Sequence, residues 1–210
     1  MILYIVNGEG YAPDARLSPF FSETRREKLA RLKTDEGRSQ SACAEMAYML
    51  ACMEALGSIP PYEYGDNNKP KMVHPQDGFF SLSHAGPYGL CAWAEQPVGA
   101  DIESEMRDLT RIARRVKAPA EQEEDLNRIW CMKESYVKLT GEGLSHPFPQ
   151  MIATRNTITD TEGNELAACE TALVSAYRWC VSTGEREEIR LRIVTAKEAE
   201  ERILAYFENA

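Results

Sequence analysis

The pattern of apolar and polar positions predicts a buried strand at the start of the chain, followed by two helices. Ile2–Val6 is a run of aliphatic residues typical of a buried strand. Thr24–Glu27 reads Thr-Arg-Arg-Glu, a capping box that opens a short basic helix. A longer helix rich in Ala, Met and Leu is predicted from about Gly37 to Leu56, and Gly57 ends it.

The rest of the chain repeats this order of strands and helices. Tyr62–Gln76 is polar and predicts a loop. The other predicted elements are the strands Phe79–His84, Tyr88–Ala94, Val98–Glu103, Ala172–Val181 and Ile189–Val194, a helix from about Glu123 to Leu139, and a last helix capped by Thr195 that reaches Phe207. The order predicts an α+β fold of two halves of similar plan, residues 1–96 and 97–210, which meet near Glu95–Pro97.

Composition and charge exclude several classes of protein. With 210 residues, 43% of them hydrophobic, the chain can bury a sizeable core, and a net charge of −9 argues against a nucleic-acid-binding protein. The start has no features of a signal peptide, and no apolar run approaches the roughly 18 residues of a membrane span. The six cysteines form no CxxC pair and the three histidines lack zinc-ligand spacing. These features predict a cytoplasmic protein with reduced core thiols.

The basic residues are concentrated in two segments despite the acidic total. One spans Arg25 to Arg38 and the other spans Arg107 to Lys117. A run of like charges is usually a solvated face. The two segments therefore leave an anionic ligand or partner open as an alternative to plain surface.

The strand Val98–Glu103 places two carboxylates on one face. Because side chains alternate along a strand, Asp101 and Glu103 should project together, opposite the aliphatic residues between them. Two neighbouring carboxylates need a cation or solvent. Gly99 leaves room for a ligand or another backbone. Taken alone, the segment is better explained as a half-buried strand with a solvated acidic face.

A second motif lies on the predicted helix that follows. Trp130, Glu134 and Lys138 are spaced by four residues and should share one helix face. Taken alone, this is an ordinary surface Glu–Lys pair. In a functional site, the glutamate could be a third carboxylate ligand for Mg²⁺ and the lysine could contact a phosphate. Ser83 and His84, at the end of an earlier strand, could help to bind that phosphate.

In order and spacing, these motifs resemble the 4′-phosphopantetheinyl transferases of the larger, monomeric surfactin-synthetase-activating type. The matching segments are Lys69-Pro70, Phe80–His84, Gly99–Glu103, Trp130–Lys138 and Gly141–Leu144, with Arg25–Lys28 and Arg38 upstream. The resemblance runs from about Arg25 to Pro147. The departures are an asparagine before Lys69 where glycine is usual, Ala100 in place of a larger aliphatic residue, and Ala85 where serine is common. None of them removes a group that the chemistry needs.

The resemblance implies a pseudo-dimer of two α+β halves with the ligand cleft between them. It implies an enzyme that transfers the 4′-phosphopantetheine group of coenzyme A to a serine of an apo carrier protein and releases 3′,5′-ADP. Asp101, Glu103 and Glu134 would bind Mg²⁺. Glu134 is also the candidate general base, and Lys138 would contact the pyrophosphate or pantetheine. The implied coenzyme A-binding residues are Arg25, Lys28, Arg38, Lys69, Pro70, Ser83, His84 and Lys138.

The expected partner is an acyl or peptidyl carrier protein, with neither nucleic acid nor membrane involved, and the enzyme is expected to be a monomer. Carrier proteins of this family's substrates are acidic around the modified serine. The pattern of the second basic segment predicts one side of a helix that could dock such a partner. Its residues are Arg107, Arg111, Arg114 and Arg115. Two alternatives stay open, namely a Mg²⁺-dependent nucleotide-diphosphate phosphohydrolase and a non-catalytic coenzyme A-binding relative.

Overall fold

A computed structural model describes residues 1–13, 15–65, 67, 69–122, 124–143 and 146–209. In the first part of the chain the elements are β1 (Ile2–Asn7), α1 (Glu23–Arg31), α2 (Asp35–Leu56), β2 (Tyr62–Tyr64), β3 (Pro70–Met72), β4 (Phe79–Ala85) and β5 (Tyr88–Ala94). They continue with β6 (Val98–Ser104), α3 (Ala113–Val116), α4 (Leu126–Thr140), β7 (Ile152–Ala153), β8 (Thr157–Thr159), β9 (Glu165–Val174), β10 (Tyr177–Thr183), β11 (Arg190–Thr195) and α5 (Ala196–Glu208). The α+β class predicted from the sequence is confirmed.

Two main sheets share a core. The first has the strand order β11-β1-β5-β4, in which β1 pairs parallel with β11 and antiparallel with β5. The second has the order β6-β10-β9-β8-β7. Alternate residues of β1, β5, β6 and β10, among them Leu3, Leu90, Ala100 and Trp179, form one buried cluster. Helices cover the opposite faces, with α2 and α5 packed on the first sheet and α4 on the second.

A strand glycine brings each sheet close to its main helix. A Cβ atom on Gly89 of β5 would lie 2.2 Å from the backbone nitrogen of Ala44 in α2. A Cβ atom on Gly99 of β6 would lie 2.0 Å from the carbonyl oxygen of Ser135 in α4. Both strands therefore need glycine, because a larger residue would push the helix away. The sequence left room beside Gly99 for a ligand or another backbone, and the backbone of α4 occupies that space.

Serine side chains join the two sheets where β4 runs beside β6. The amide of Ala100 donates to Ser81 Oγ (2.9 Å), and the amide of Ile102 donates to Ser83 Oγ (3.3 Å). Ser83 Oγ in turn donates to Asp101 Oδ1 (2.7 Å). Hydrogen bonds through serine side chains thus take the place of backbone–backbone hydrogen bonds between β4 and β6, and they hold the ends of the two strands side by side.

The helix ends follow local capping chemistry, with one correction. Helix α1 begins two residues earlier than predicted, because the hydroxyl of Ser22, rather than Thr24, accepts a hydrogen bond from the Arg25 amide (3.3 Å). Thr34 caps α2, and Gly57 ends it with a φ of 68° in the left-handed region. Asp125 caps α4. The predicted start of that helix at Glu123, like Asn68 and Leu144 of the motifs, lies outside the described residues.

Three other predictions of secondary structure were wrong. Tyr62–Gln76 is no simple loop, since β2 and β3 pair within it. The predicted strand Ala172–Val181 is a hairpin of β9 and β10, whose turn holds Ser175 at a φ of 54°. Residues 107–117 do not form one helix face, because a 3₁₀ turn at Thr110–Ile112 precedes the four-residue α3 and Arg107 lies before both.

The last strand and helix pack on the N-terminal elements, since β11 pairs with β1 and α5 contacts α2. The division of the chain into two halves at residues 96 and 97 stays a prediction.

The cysteines are free and buried, as predicted. No described helix is both long enough and apolar enough to cross a membrane.

Candidate functional site

A pocket of about 490 Å³ opens where the ends of β4 and β6 meet α1 and α4. It is large enough for a cofactor-sized ligand. The predicted site residues in its lining are Arg25, Lys28, Pro70, Ser83, His84, Asp101, Glu103, Arg107, Glu134 and Lys138. Residues that were far apart in the sequence motifs are therefore brought together at one place.

Five predicted site residues do not line this pocket, namely Arg38, Lys69 and three arginines of the second basic segment. Arg38 donates to the carbonyl of Leu32 (2.6 Å) and pairs with Asp35 (2.5 Å). Lys69 lines an adjoining pocket of about 190 Å³ and donates to a carbonyl at the C-terminal end of α4 (2.7 Å). The other three, all exposed arginines of the second basic segment, are Arg111, Arg114 and Arg115.

Two of the three carboxylates have a cation as partner. Asp101 is 6% exposed, and its Oδ1 accepts hydrogen bonds from Lys138 Nζ (2.6 Å) and Ser83 Oγ. Glu103 pairs with Arg107. Lys138 thus pairs with Asp101 across the pocket, whereas the sequence alternative was a surface pair with Glu134 one turn away.

Glu134 is the third carboxylate, and its environment differs. Its Oε1 atom is buried and has no hydrogen-bond partner within the described part of the chain. Burial, and after it the negative charge of Asp101, raises the pKa of Glu134 to about 7. Such an orphaned oxygen favours a cation or a proton from a ligand at this position. Among the described residues, no group of three or more His, Cys, Asp or Glu side chains is already arranged around a metal position.

Helix α4 sends successive side chains to opposite environments. Glu134 and Trp130 face the pocket, and Trp130 packs against Phe148. Lys133 points into the protein, where its fully buried Nζ pairs with Glu121 (2.6 Å) and donates to backbone carbonyls. Lys133 therefore anchors the segments beside α4. Nothing in the sequence pattern distinguished the role of Lys133 from that of Glu134.

His84 and Lys28, which were predicted to bind a phosphate, line the same pocket. Loss of solvent, and after it the charges of Lys28 and Lys138, lower the pKa of His84 to about 4. Burial, and after it the charge of Arg25, also lowers the pKa of Lys28. Lys28, Lys138 and Arg25 thus place positive charge around a neutral His84, and an anion bound among them would relieve their repulsion.

Arg25 borders the pocket but is bound to the core. Its side chain is 2% exposed, and its guanidinium contacts Glu45 (2.9 Å) and Ser41 (3.0 Å). Burial opposes the charge of Arg25, but the adjacent Glu45 raises its pKa above the ordinary value. Sequence reasoning missed Glu45, since it lies within an apolar helix, and it missed Tyr64 of the lining, which lay in a predicted loop.

Comparisons with known proteins match these motifs. The sequence model of the 4′-phosphopantetheinyl transferase superfamily matches residues 97–194, which include Asp101, Glu103, Glu134 and Lys138. Residues 97–194 of this chain are therefore similar to this superfamily. A 4′-phosphopantetheinyl transferase of Bacillus subtilis and the 4′-phosphopantetheinyl transferase Sfp of B. subtilis strain 168 are each 31% identical to this chain over an alignment of 149 residues, with a coverage of 63% of this chain. A putative 4′-phosphopantetheinyl transferase of Synechocystis is 30% identical over an alignment of 145 residues, with a coverage of 60% of this chain.

The similarity does not extend over whole proteins. The aligned part spans 65% of the length of the two B. subtilis transferases and 59% of the Synechocystis protein. The superfamily match covers the elements from β6 to β11, on which the three carboxylates and Lys138 lie. Lys28 and His84, which line the same pocket, lie before the matched residues.

Proposed function

We propose that this protein is a 4′-phosphopantetheinyl transferase that moves the phosphopantetheine group of coenzyme A to a serine of an apo acyl or peptidyl carrier protein. The observation that supports this proposal is the convergence of Asp101, Glu103 and Glu134 with Lys138 in one pocket that Lys28 and Arg25 also line. Carboxylates and cationic side chains in one pocket suit a metal-bound ligand that carries a pyrophosphate. We further propose that the enzyme acts as a cytoplasmic monomer.

In the proposed reaction, the serine oxygen attacks the β-phosphorus of coenzyme A. The new bond joins that oxygen to phosphorus, and the pyrophosphate bond to the departing 3′,5′-ADP breaks with its electron pair. The serine proton would pass to Glu134, directly or through water, since Oε1 of this side chain is buried and has no partner. Lys138 would hold the pyrophosphate and offset the charge that develops on the leaving phosphate.

The same carboxylates fit a divalent cation. Asp101, Glu103 and Glu134 would hold Mg²⁺, because carboxylate oxygens are the hard ligands that this ion prefers. The orphaned Oε1 of Glu134 supports this assignment. When bound, the ion would supply charge neutralisation at the pyrophosphate. Asp101 and Glu103 would then exchange the side-chain cations that they now contact.

Residues of the first part of the chain would bind the rest of coenzyme A. Lys28, as a cation, and His84, as a neutral hydrogen-bond donor, would contact the 3′-phosphate, and Arg25 would add its positive charge from the border of the pocket. Arg38 could join them only by leaving Asp35, and Lys69 could reach the ligand only by leaving the end of α4. The two remaining predicted contacts, along the adenine and phosphates, are Pro70 and Ser83, both in the pocket lining.

A mass measurement tests the reaction. The protein is incubated with an apo carrier protein, coenzyme A and Mg²⁺, and the carrier should gain the mass of phosphopantetheine. Asp101→Ala and Glu134→Gln should abolish the gain without unfolding the protein, while Glu201→Gln on the exposed face of α5 should retain it. Release of 3′,5′-ADP from coenzyme A without any carrier would instead indicate a phosphohydrolase. Near-normal transfer by folded Asp101→Ala would refute the site assignment.

A second measurement concerns the carrier. We propose that Arg111, Arg114 and Arg115, exposed just beyond β6, attract an acidic carrier surface. Arg111→Glu combined with Arg115→Glu should raise the KM for the carrier, most strongly at low salt, where screening is weak. The KM for coenzyme A should change little. An equal charge change elsewhere is the control, made at the exposed residues Arg155 and Arg186. If both double variants have the same carrier KM at low salt, this segment is ordinary solvated surface.

A further inference from the structure

Arg107 lies inside the pocket, although the sequence grouped it with an outward-facing basic segment. The chain turns sharply after β6, and the Arg107 amide donates to the carbonyl of Ser104 (3.1 Å). The side-chain amide of Asn127, at the start of α4, donates to the carbonyls of Ser104 (3.2 Å), Glu105 (2.7 Å) and Arg107 (3.3 Å). The turn is thereby fixed to the helix that carries Glu134.

The side chain of Arg107 contacts two other residues of the pocket lining. Its guanidinium pairs with Glu103 and lies 5.2 Å from the ring centroid of Trp130. The aromatic face supports the planar guanidinium from one side. The Arg107 side chain nevertheless stays 46% exposed, compared with 14% for Glu103. It can therefore exchange its partner without unpacking the core.

The pair has a consequence for ligand binding. As long as Arg107 neutralises Glu103, a divalent cation must compete with the guanidinium for that carboxylate. Once a cation has displaced Arg107 from Glu103, its guanidinium can bind a neighbouring pyrophosphate, because its fork of donors matches phosphate oxygens. The displaced side chain would remain close to the ligand, since Asn127 holds its backbone in place.

We propose that Arg107 is a counter-ion that changes partner: it pairs with Glu103 in the ligand-free protein and binds a phosphate oxygen of coenzyme A once a divalent cation takes the carboxylate. This inference rests on the proposed function. It assigns Arg107 to substrate binding, distinct from the exposed arginines that follow it. It also predicts that removing the charge has opposite effects on the two ligands, which a purely structural arginine would not produce.

Binding measurements on Arg107→Met test the proposal, because methionine keeps an apolar stem over Trp130 and removes only the charge. Binding of Mn²⁺ to the ligand-free protein is followed by the electron paramagnetic resonance signal of the free ion. The affinity should rise about two- to fivefold, as expected for loss of a half-exposed competing ion pair. Binding of coenzyme A with Mg²⁺ present, followed by calorimetry, should weaken about tenfold or more. Arg107→Lys should bind Mn²⁺ as the wild type does.

Arg192→Met is the matched control. Arg192 is 45% exposed and pairs with Glu54, so the variant removes a comparable ion pair far from the pocket and should leave both affinities unchanged. An unchanged or weaker Mn²⁺ affinity of Arg107→Met, with its thermal unfolding equal to that of the wild type, would overturn the inference and leave the proposed function standing. A wild-type protein that binds neither Mn²⁺ nor coenzyme A would overturn both.

Discussion

Replacing Gly99 by alanine should separate strand β6 from helix α4. The added Cβ atom would lie 2.0 Å from the carbonyl oxygen of Ser135 and 2.3 Å from the backbone nitrogen of Leu139. Both are backbone atoms of the helix, so no side-chain rotation can relieve the clash. An ordinary contact begins near 3.4 Å, so the strand and the helix must move apart by about 1.4 Å, from 3.4 minus 2.0.

The expected loss of stability is large for a single methyl group. Overpacking of a core costs about 1–3 kcal/mol, and the upper end applies here because the obstacle is backbone. For a chain of this length, about 3 kcal/mol corresponds to a fall in Tm of about 6–12 °C. Asp101 lies on β6 and Lys138 on α4, so the movement would also separate Asp101 Oδ1 from Lys138 Nζ, which are 2.6 Å apart. The proposed binding of coenzyme A should therefore weaken in protein that is still folded.

The assay is urea unfolding followed by circular dichroism, with calorimetric titration of coenzyme A below the transition. Gly184→Ala is the control, because a Cβ atom there would meet nothing within 4 Å and the backbone needs no left-handed conformation. That variant should stay within about 0.5 kcal/mol of the wild type. If Gly99→Ala is as stable as Gly184→Ala, the close approach of β6 and α4 is refuted.

Three further predictions follow from buried or crowded charges. Arg25→Ala should lose about 3–5 kcal/mol in urea unfolding, because it leaves Glu45 buried without its cation, and adding Glu45→Gln should recover part of the loss. Lys133→Met should lose a similar amount of stability, because it leaves Glu121 buried without its cation, and adding Glu121→Gln should again recover part of the loss. NMR titration should find His84 neutral down to about pH 5. Because its pKa of about 4 lies below the unfolded value near 6.5, the folded protein binds fewer protons, and stability should fall as the pH drops between these values. A double variant that recovers none of the lost stability, or an ordinary pKa for His84, would contradict the respective prediction.

Local patterns in the sequence determined much of the scaffold. The alternation in Val98–Glu103 gave the face of β6 that carries Asp101, and the spacing of four gave the face of α4 that carries Glu134. Gly57 marked a helix end, where it adopts the left-handed conformation. These features depend on neighbours within one or two turns, so the chain itself contains the information. The hairpin of β9 and β10 escaped detection because its turn has no glycine or proline, and Ser175 takes the positive φ.

Tertiary structure decided which charged groups meet. Lys138 contacts Asp101, which is 37 residues away, and Arg25 contacts Glu45, which is 20 residues away. A periodic pattern fixes the direction of a side chain from its own element, but not what the opposite element presents there. Arg107 shows the same limit. Its spacing suggested an outward helix face, and the turn held by Asn127 directs it back to Glu103. An ion pair depends on distances between elements, and those distances are set only when the two sheets and their helices pack together.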